Sequence, residues 1–285
     1  MTCAVCTATP DMEAADGAKM SKIDVDEVWA LAHAMADAAR VETLALFRGQ
    51  ALGTENKLSD GYDPVTLADR ACEQAMRQLI AQRRPQDGIL GEEEGIKEGT
   101  SGRTWVLDPI DGTRGFVSGT PTWGVLISLN DETGPRLGVI DQPYIGERFF
   151  GGLGQNGFIG PHGQSRLGVR CTTTLENATI FTTFPEVGSA VEANAFREVA
   201  SRCKLTRYGM DCYAYALLAA GQIDLVMEAG LQPYDICGPI AVIEAAGGIV
   251  TDWSGGPAHH GGRALAAATP DLHAEAMAVI AALNI

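Results

Sequence analysis

The stretch Trp105-Val-Leu-Asp108-Pro-Ile-Asp111-Gly-Thr113 joins a short apolar run to a sharp turn. The apolar residues predict a β-strand that ends at Asp108, and Pro109 and Gly112 then force the chain to turn. An acidic residue at a strand end meets the ends of neighbouring strands, because a sheet brings those ends together. Acidic residues at the ends of other predicted elements could therefore lie close to Asp108.

Two other acidic segments fit this description. Gly91-Glu92-Glu93-Glu94 follows another short apolar run, and Asp235 opens a predicted helix. Taken alone, such a run is usually a solvated loop and an Asp-Gly pair is usually a turn. Two carboxylates about 4 Å apart repel by about 4 kcal/mol at an effective dielectric constant near 20. A converging cluster would therefore be protonated or filled by cations, and oxygen ligands select Mg²⁺ or Mn²⁺ over zinc.

The remaining patterns predict a mixed α/β chain without internal repeats. Helices are expected over 23–48, 66–84, 190–203, 211–220 and 234–246, with a last one that begins at Pro270, and strands over 88–91, 104–108, 123–129, 137–140, 147–150, 178–184, 222–227 and 249–251. The pattern of the first half predicts helices packed against an antiparallel meander (α+β), and the second half alternates strand and helix (α/β). We expect a flexible tail over 1–22, an α+β domain over 23–168 and an α/β domain over 169–285.

Composition limits the class of protein. The 285 residues are 46% hydrophobic and 20% charged, which excludes a disordered chain and a coiled coil. The formal net charge of −15 would repel phosphate backbones, so no nucleic-acid partner is expected. The apolar runs fall short of the roughly 20 residues that a membrane helix needs, so no membrane association is expected.

The N-terminal residues and the cysteines indicate a cytoplasmic protein. The first 20 residues lack the basic and apolar regions of a signal peptide. Seven scattered cysteines, an odd number, favour free thiols in a reducing compartment. Cys3 and Cys6 have metal-ligand spacing, but no second pair completes a zinc site.

Two further patterns resemble functional motifs. Gly152-Leu-Gly-Gln-Asn-Gly157 has the glycine spacing of a dinucleotide-binding loop, but no helix follows it, so a hairpin turn is expected. Asp24-Val-Asp26 resembles an aspartyl-phosphatase nucleophile without the apolar strand that should precede it. We expect these aspartates at a helix start, where the helix dipole favours acidic residues.

Four blocks in order carry a family resemblance. They are Asp63-Pro-Val-Thr-Leu-Ala-Asp69, Gly91-Glu-Glu93, Asp108-Pro-Ile-Asp-Gly-Thr113, and Tyr234-Asp235 with Glu244-Ala-Ala-Gly-Gly-Ile249. Together they closely resemble the inositol-monophosphatase superfamily from about residue 25 onward. The resemblance implies a layered α-β-α-β-α sandwich of the inositol monophosphatase and fructose bisphosphatase type. It also implies metal-dependent hydrolysis of a small phosphate monoester.

The same resemblance implies roles for individual residues. It assigns one Mg²⁺ to Glu92, Asp108 and the Ile110 carbonyl, a second to Asp108, Asp111 and Asp235, and a third, weaker ion to Glu92. Asp111 and the backbone amides of Gly112 and Thr113 should bind the phosphate. Thr113, paired with Asp69, should help to activate the attacking water, and Glu92 is also counted as catalytic. The implied cofactor is Mg²⁺, two or three ions, with Mn²⁺ as an alternative.

The sequence after the central motif indicates the substrate. Arg114-Gly-Phe-Val-Ser-Gly-Thr-Pro-Thr-Trp-Gly124 resembles the histidinol-phosphate phosphatase branch, and residues 207–215 agree with it. Asp211 and Glu228 could bind the ammonium and imidazole of histidinol phosphate, with Arg114 as a third substrate contact. Asp211 could instead cap the following helix. The expected reaction converts L-histidinol phosphate to L-histidinol and phosphate, a step of histidine biosynthesis.

Two other functions stay open at this point. The chain could be an inositol-1-phosphate or broad-specificity monophosphatase, or a catalytically silent relative that binds a partner. The complete set of acidic ligands argues against the silent relative. The resemblance also suggests a homodimer.

Overall fold

The computed structural model describes residues 22–49, 55–56, 64–283 and 285, which form seven α-helices and fifteen strands. The helices are α1 (Lys22–Leu46), α2 (Leu67–Arg83), α3 (Thr113–Ser118), α4 (Ala190–Ala200), α5 (Cys212–Ala219), α6 (Pro233–Ala245) and α7 (Pro270–Ala281). The strands are β1 (Glu55–Asn56), β2 (Pro64–Val65), β3 (Gly88–Gly91), β4 (Gly95–Lys97), β5 (Thr104–Asp111), β6 (Gly124–Asp131), β7 (Gly134–Gln142), β8 (Glu147–Gly152), β9 (Gln155–Gly160), β10 (Gly163–Ser165), β11 (Thr179–Thr182), β12 (Leu205–Tyr208), β13 (Leu225–Leu231), β14 (Ile249–Thr251) and β15 (Gly262–Ala267). The predicted tail over 1–22 lies outside these residues except for Lys22.

Two large sheets organise the chain. The first has eight strands in the order β10-β9-β8-β7-β6-β5-β3-β4, and only the β3–β5 pair is parallel. The second has five strands in the order β12-β11-β13-β15-β14, where β11 runs parallel to β12 and β13. The short strands β1 and β2 pair with each other. The predicted antiparallel meander is confirmed for β5 through β10 and is wrong for its first two strands, because β3 and β5 run parallel.

Alternation along the strands separates the layers, because successive side chains point to opposite faces of a sheet. In β6, Val125 and Ile127 pack in one core cluster with the apolar faces of α1 and α2, whereas Leu126 faces α5 and α6. In β13, Val226 faces α5 and α6, and Leu225 packs against α4 and α7. Helices α5 and α6 are thus sandwiched between the sheets. The chain has the predicted α-β-α-β-α layering.

The element boundaries mostly follow the sequence patterns, and the missed strands have weak patterns. Strand β15 is rich in alanine, which has low strand propensity, and β12 is an edge strand with exposed side chains. The glycine pattern over 152–157 forms the predicted hairpin, with β8 and β9 paired across it. The Asp24-Val-Asp26 stretch lies in the first turns of α1. Thr269 caps α7, accepting a hydrogen bond from the Leu272 N–H.

One expectation about the cysteines is wrong. Cys72, Cys203, Cys212 and Cys237 are free thiols, as expected. Cys171 is disulfide-bonded. An odd count cannot identify such a pair, because connectivity depends on which residues the fold brings together. Among the described residues, no helix is both long and apolar enough to cross a membrane.

Candidate active site

The first two acidic segments meet because β3 and β5 are parallel neighbours. Gly91 is in register with Leu107, and the Glu92 N–H donates to the Leu107 carbonyl at 3.2 Å. Glu92, just after the end of β3, therefore lies beside Asp108 of β5 at the same end of the two strands. The convergence expected from strand-end acids is present.

An irregularity in β5 brings Asp108 and Asp111 to the same side. Residues three apart in a regular strand point to opposite faces. Here Asp108 pairs with Leu126 and Asp111 pairs with Gly124, so the register shifts between the two aspartates. Such a bulge redirects a side chain. The Asp108 carboxylate accepts the Ile110 N–H at 3.0 Å, which fixes the bulge.

Two helix starts complete the acidic cluster. The Cys212 N–H at the start of α5 donates to Asp111 Oδ2 at 2.6 Å. In the first turn of α6, Asp235 Oδ2 accepts the Gln232 N–H at 2.7 Å. Carboxylate oxygens of Asp108, Asp111 and Asp235 then lie within 4.8 Å of one another. These are hard oxygen donors at a spacing that one small divalent cation could bridge.

The electrostatics of this cluster favour protons or cations. Burial, followed by the charges of Glu92 and Asp111, raises the pKa of Asp108 well above its usual range. Burial and the charge of Asp235 raise the pKa of Asp111 in the same way. Ionising all of these groups together is unfavourable unless positive charge is supplied. The donor set and its charge thus fit Mg²⁺ or Mn²⁺.

The acidic cluster lines a cavity of about 420 Å³ between the two sheets. All but one of the predicted site residues line it: Glu92, Asp108, Ile110, Asp111, Gly112, Thr113, Arg114, Asp211, Glu228 and Asp235. The exception is Asp69, which lies fully buried behind Thr113. Sequence-distant residues expected to act together are therefore adjacent.

Thr113 and Asp69 lie close enough to interact. The Thr113 hydroxyl is 3.0 Å from the Ile110 carbonyl and 3.5 Å from Asp69 Oδ1. A hydroxyl has one hydrogen, so these two acceptors compete for it, and the Ile110 contact is the shorter. Asp69 also accepts hydrogen bonds from the N–H and the hydroxyl of Thr66. Burial nevertheless raises the pKa of Asp69 to about 7.

Asp211 packs against the backbone of the central motif. Gly112 has φ +82°, and a Cβ built on it would lie 2.7 Å from Asp211 Cγ. Asp211 itself has φ +46°, a conformation that is strained for a residue other than glycine. Its side chain makes no capping hydrogen bond to α5, so the capping alternative is wrong. The carboxylate instead accepts the Thr122 hydroxyl at 3.0 Å.

Glu228 is a further acidic residue of the lining. It accepts hydrogen bonds from Thr182 Oγ1 at 2.9 Å and from the Thr183 N–H at 2.6 Å. Burial raises the pKa of Glu228 to about 7, and the charge of Asp211 acts in the same direction. Arg114 is the only basic residue among the described residues that line the cavity, and its guanidinium lies 5.0 Å from the centre of the Phe184 ring.

The predicted site omits several lining or supporting residues, and three of them make notable contacts or carry an unpaired group. Thr122 holds Asp211, Phe184 contacts Arg114, and Tyr215 lines the cavity. The Tyr215 hydroxyl is buried and has no hydrogen-bond partner among the described residues. Only Tyr215 had a usable signal, because it stands four residues after Asp211 and so on the same face of the predicted helix.

Comparisons with known proteins agree with this geometry. Residues 20–284 match the inositol monophosphatase family. The bifunctional phosphatase IMPL2, chloroplastic, of Arabidopsis thaliana is 40% identical over 248 residues, which are 86% of this chain and 70% of that protein. A histidinol-phosphatase of Streptomyces coelicolor is 34% identical over 86% of this chain and 93% of its own length. The structure of an inositol monophosphatase from Zymomonas mobilis superposes with a TM-score of 0.79 at 36% identity, covering 92% of this chain and 100% of that one.

Proposed function

Since this chain belongs to the inositol monophosphatase family, we propose that it is a Mg²⁺-dependent phosphatase that hydrolyses L-histidinol phosphate to L-histidinol and phosphate. One observation carries the choice of substrate. The cavity contains two acidic side chains, Asp211 and Glu228, in addition to the three clustered aspartates and Glu92. A cationic substrate would use such groups, and a neutral polyol would not need them.

Metal ions reconcile this acidic cavity with a phosphate ester. A phosphate dianion would be repelled by the carboxylates that line the site, and Arg114 alone cannot offset them. We assign one Mg²⁺ to Glu92, Asp108 and the Ile110 carbonyl, and a second to Asp108, Asp111 and Asp235. When bound, Mg²⁺ supplies positive charge that activates a water and stabilises the charge developing on phosphate.

The chain itself positions the phosphate and moves a proton. Gly112 presents backbone at the cavity wall without a side chain, which allows a phosphate oxygen to approach the amides of residues 112 and 113. The Thr113 hydroxyl can accept a proton from the attacking water while it passes its own hydrogen to Asp69, whose pKa of about 7 suits proton transfer near neutral pH. Asp69 thus acts through Thr113, since it does not line the cavity.

The substrate's organic part distinguishes the two candidate reactions. Histidinol carries an ammonium and a titratable imidazole, which pair with carboxylates through charge-assisted hydrogen bonds. Inositol offers only hydroxyls. Inositol 1-phosphate is still a second candidate, because the chain is 36% identical to the Zymomonas mobilis enzyme over nearly its full length.

The test is phosphate release with Mg²⁺ from histidinol phosphate, inositol 1-phosphate and a nucleoside monophosphate. We expect a preference of at least 100-fold in kcat/KM for histidinol phosphate, or about 2.7 kcal/mol of transition-state discrimination. Equal kcat/KM for all three esters would retain the phosphatase and reject this substrate. Action in the cytoplasm and assembly as a homodimer are parts of the same proposal, and the dimer is testable by light scattering.

A further inference from the structure

Helix α2 buries two acidic residues on an otherwise apolar face. Asp69 and Glu73 are one helical turn apart, and both are completely shielded from solvent. Their neighbours on that face are Ala68, Cys72, Met76 and Ile80. A carboxylate in such surroundings is costly unless hydrogen-bond donors satisfy it. Asp69 faces Thr113 of the active site, whereas Glu73 has no role in the proposed reaction.

Glu73 binds the backbone that follows the metal-site residue Glu92. Its Oε2 accepts the Glu93 N–H at 2.8 Å, and its Oε1 accepts the Glu94 N–H at 3.0 Å. Arg77, one turn further along α2, donates from Nε to Glu73 Oε1 at 2.8 Å. The other end of that guanidinium donates to the Gly95 carbonyl. The side chains of Glu73 and Arg77 therefore hold the turn over residues 91–95 against helix α2 by hydrogen bonds.

The residue before Glu92 is shaped for the same contact. A Cβ built on Gly91 would overlap the Glu73 carboxylate, so only glycine lets that carboxylate enter the turn. Glu73 thus contacts both neighbours of Glu92. Its carboxylate packs against Gly91 and accepts the N–H of Glu93. With both flanking residues fixed, the Glu92 side chain is directed into the cavity beside Asp108.

We propose that Glu73 is a positioning residue for the metal site, which sets the affinity for divalent cations by holding Glu92 in place. The inference rests on the proposed function, because it takes Glu92 to be a metal ligand. A carboxylate suits this task because both of its oxygens accept hydrogen bonds, whereas an amide of the same shape offers one acceptor and one donor. Loss of such a supporting group costs about 10- to 100-fold in metal affinity.

The experiment measures Mn²⁺ affinity of the full chain without substrate, by electron paramagnetic resonance of free Mn²⁺ after removal of bound metal with EDTA. Glu73→Gln should weaken binding by about tenfold or more. Asp224→Asn is the matched control. Asp224 is also a buried carboxylate that accepts one backbone N–H, from Thr179, and one arginine, Arg170, but it does not line the cavity. Its variant should bind Mn²⁺ like the wild type.

A double-mutant cycle separates positioning from a general loss of stability. Glu92→Gln alone should weaken Mn²⁺ binding, and adding Glu73→Gln to it should cause no further loss. If Glu92→Gln weakens Mn²⁺ binding but Glu73→Gln binds Mn²⁺ with wild-type affinity, the positioning role of Glu73 is overturned and the metal assignment of Glu92 stands. Wild-type affinity in Glu92→Gln would overturn the metal assignment itself. Neither outcome depends on which phosphate ester the enzyme hydrolyses.

A second variant applies if Glu73→Gln does not fold. Gly91→Ala leaves every charge in place and pushes the Glu73 carboxylate out of the turn from the other side. It should weaken Mn²⁺ binding in the same way, while far-ultraviolet circular dichroism stays that of the wild type. A folded Gly91→Ala protein with unchanged affinity would overturn the proposal.

Discussion

Replacing Asp108 with asparagine tests whether the carboxylate cluster is a cation site. The substitution keeps the shape of the side chain, and asparagine Oδ1 can still accept the Ile110 N–H that fixes the bulge in β5. At the 4.8 Å limit of the cluster, two ionised carboxylates repel by about 3.5 kcal/mol at an effective dielectric constant of 20. Asp108 has two such neighbours, Asp111 and Asp235. At a pH at which Asp108 is ionised, the cation-free wild type therefore contains a large repulsion that the variant lacks.

This repulsion has a defined dependence on pH. The pKa of Asp108 is raised well above its usual range in the folded protein, so the folded state holds protons that the unfolded state releases. The stability of the cation-free protein therefore falls as pH rises from the unfolded value, about 3.9, toward the raised folded value. In EDTA at pH 8, Asp108→Asn should melt at or above the wild-type Tm. The difference should shrink toward acidic pH, where Asp108 of the wild type is protonated.

Added Mg²⁺ should reverse the order of the two proteins. The wild type should gain Tm, the variant should gain little, and turnover of the variant should fall about 1,000-fold, corresponding to about 4 kcal/mol of lost charge stabilisation. Differential scanning fluorimetry and phosphate release provide the two readouts. A variant that melts well below the wild type in EDTA at pH 8, or that keeps both the Mg²⁺ response and turnover, would refute this account of the cluster.

Three further substitutions test the substrate end of the cavity. Asp211→Asn should raise KM for histidinol phosphate about tenfold or more, the value of a charge-assisted hydrogen bond, and should change KM for inositol 1-phosphate much less; equal effects would make Asp211 structural. Because the pKa of Glu228 is about 7, KM for histidinol phosphate should fall between pH 6 and pH 8 as this carboxyl ionises. Glu228→Gln should remove most of this pH dependence of KM for histidinol phosphate, and it should change the pH dependence of KM for inositol 1-phosphate less. Gly112→Ala should lower kcat/KM at least tenfold, because the new Cβ meets Asp211, whereas Gly102→Ala, at a similar φ of +75° with open space around it, should keep wild-type kcat/KM. Steady-state kinetics decide all three, and an active Gly112→Ala enzyme would contradict the close contact.

Local patterns predict an α+β half followed by an α/β half and place acidic residues at strand ends, and the layered arrangement is implied by the family resemblance. Apolar runs that lead into Glu92 and Asp108 identify strand ends. The sequence predicts an antiparallel meander over both runs, and it is the parallel pairing of β3 with β5 that brings these two ends together. The bulge between Asp108 and Asp111 has no comparable signal. Regular alternation would place these two aspartates on opposite faces, and only the pairing of β5 with β6 shows that the register shifts. The motif resemblance supplied that convergence where strand periodicity alone could not.

Asp211 and Glu73 show where sequence reasoning stops. The position of Asp211 before a predicted helix fitted capping, but its strained backbone and its contact with Thr122 turn the side chain toward the cavity. For Glu73, spacing from Asp69 predicts the same buried helix face. Its partners are the backbone N–H groups of residues 20 and 21 positions away, and no spacing rule reveals such contacts.

Four of the six acidic residues that line the cavity share one feature that bears on how the site behaves without metal. Asp108, Asp111, Asp235 and Glu228 each accept one backbone N–H, from Ile110, Cys212, Gln232 and Thr183 respectively. These bonds come from strand and helix ends that packing already fixes, so they hold the carboxylates in place whether or not a cation is bound. Removal of metal should therefore alter proton uptake and Tm, while the near-ultraviolet circular dichroism of the protein in EDTA at pH 6 stays that of the Mg²⁺-loaded form. A large spectral change at that pH would mean that the cation, and not the backbone, builds the site.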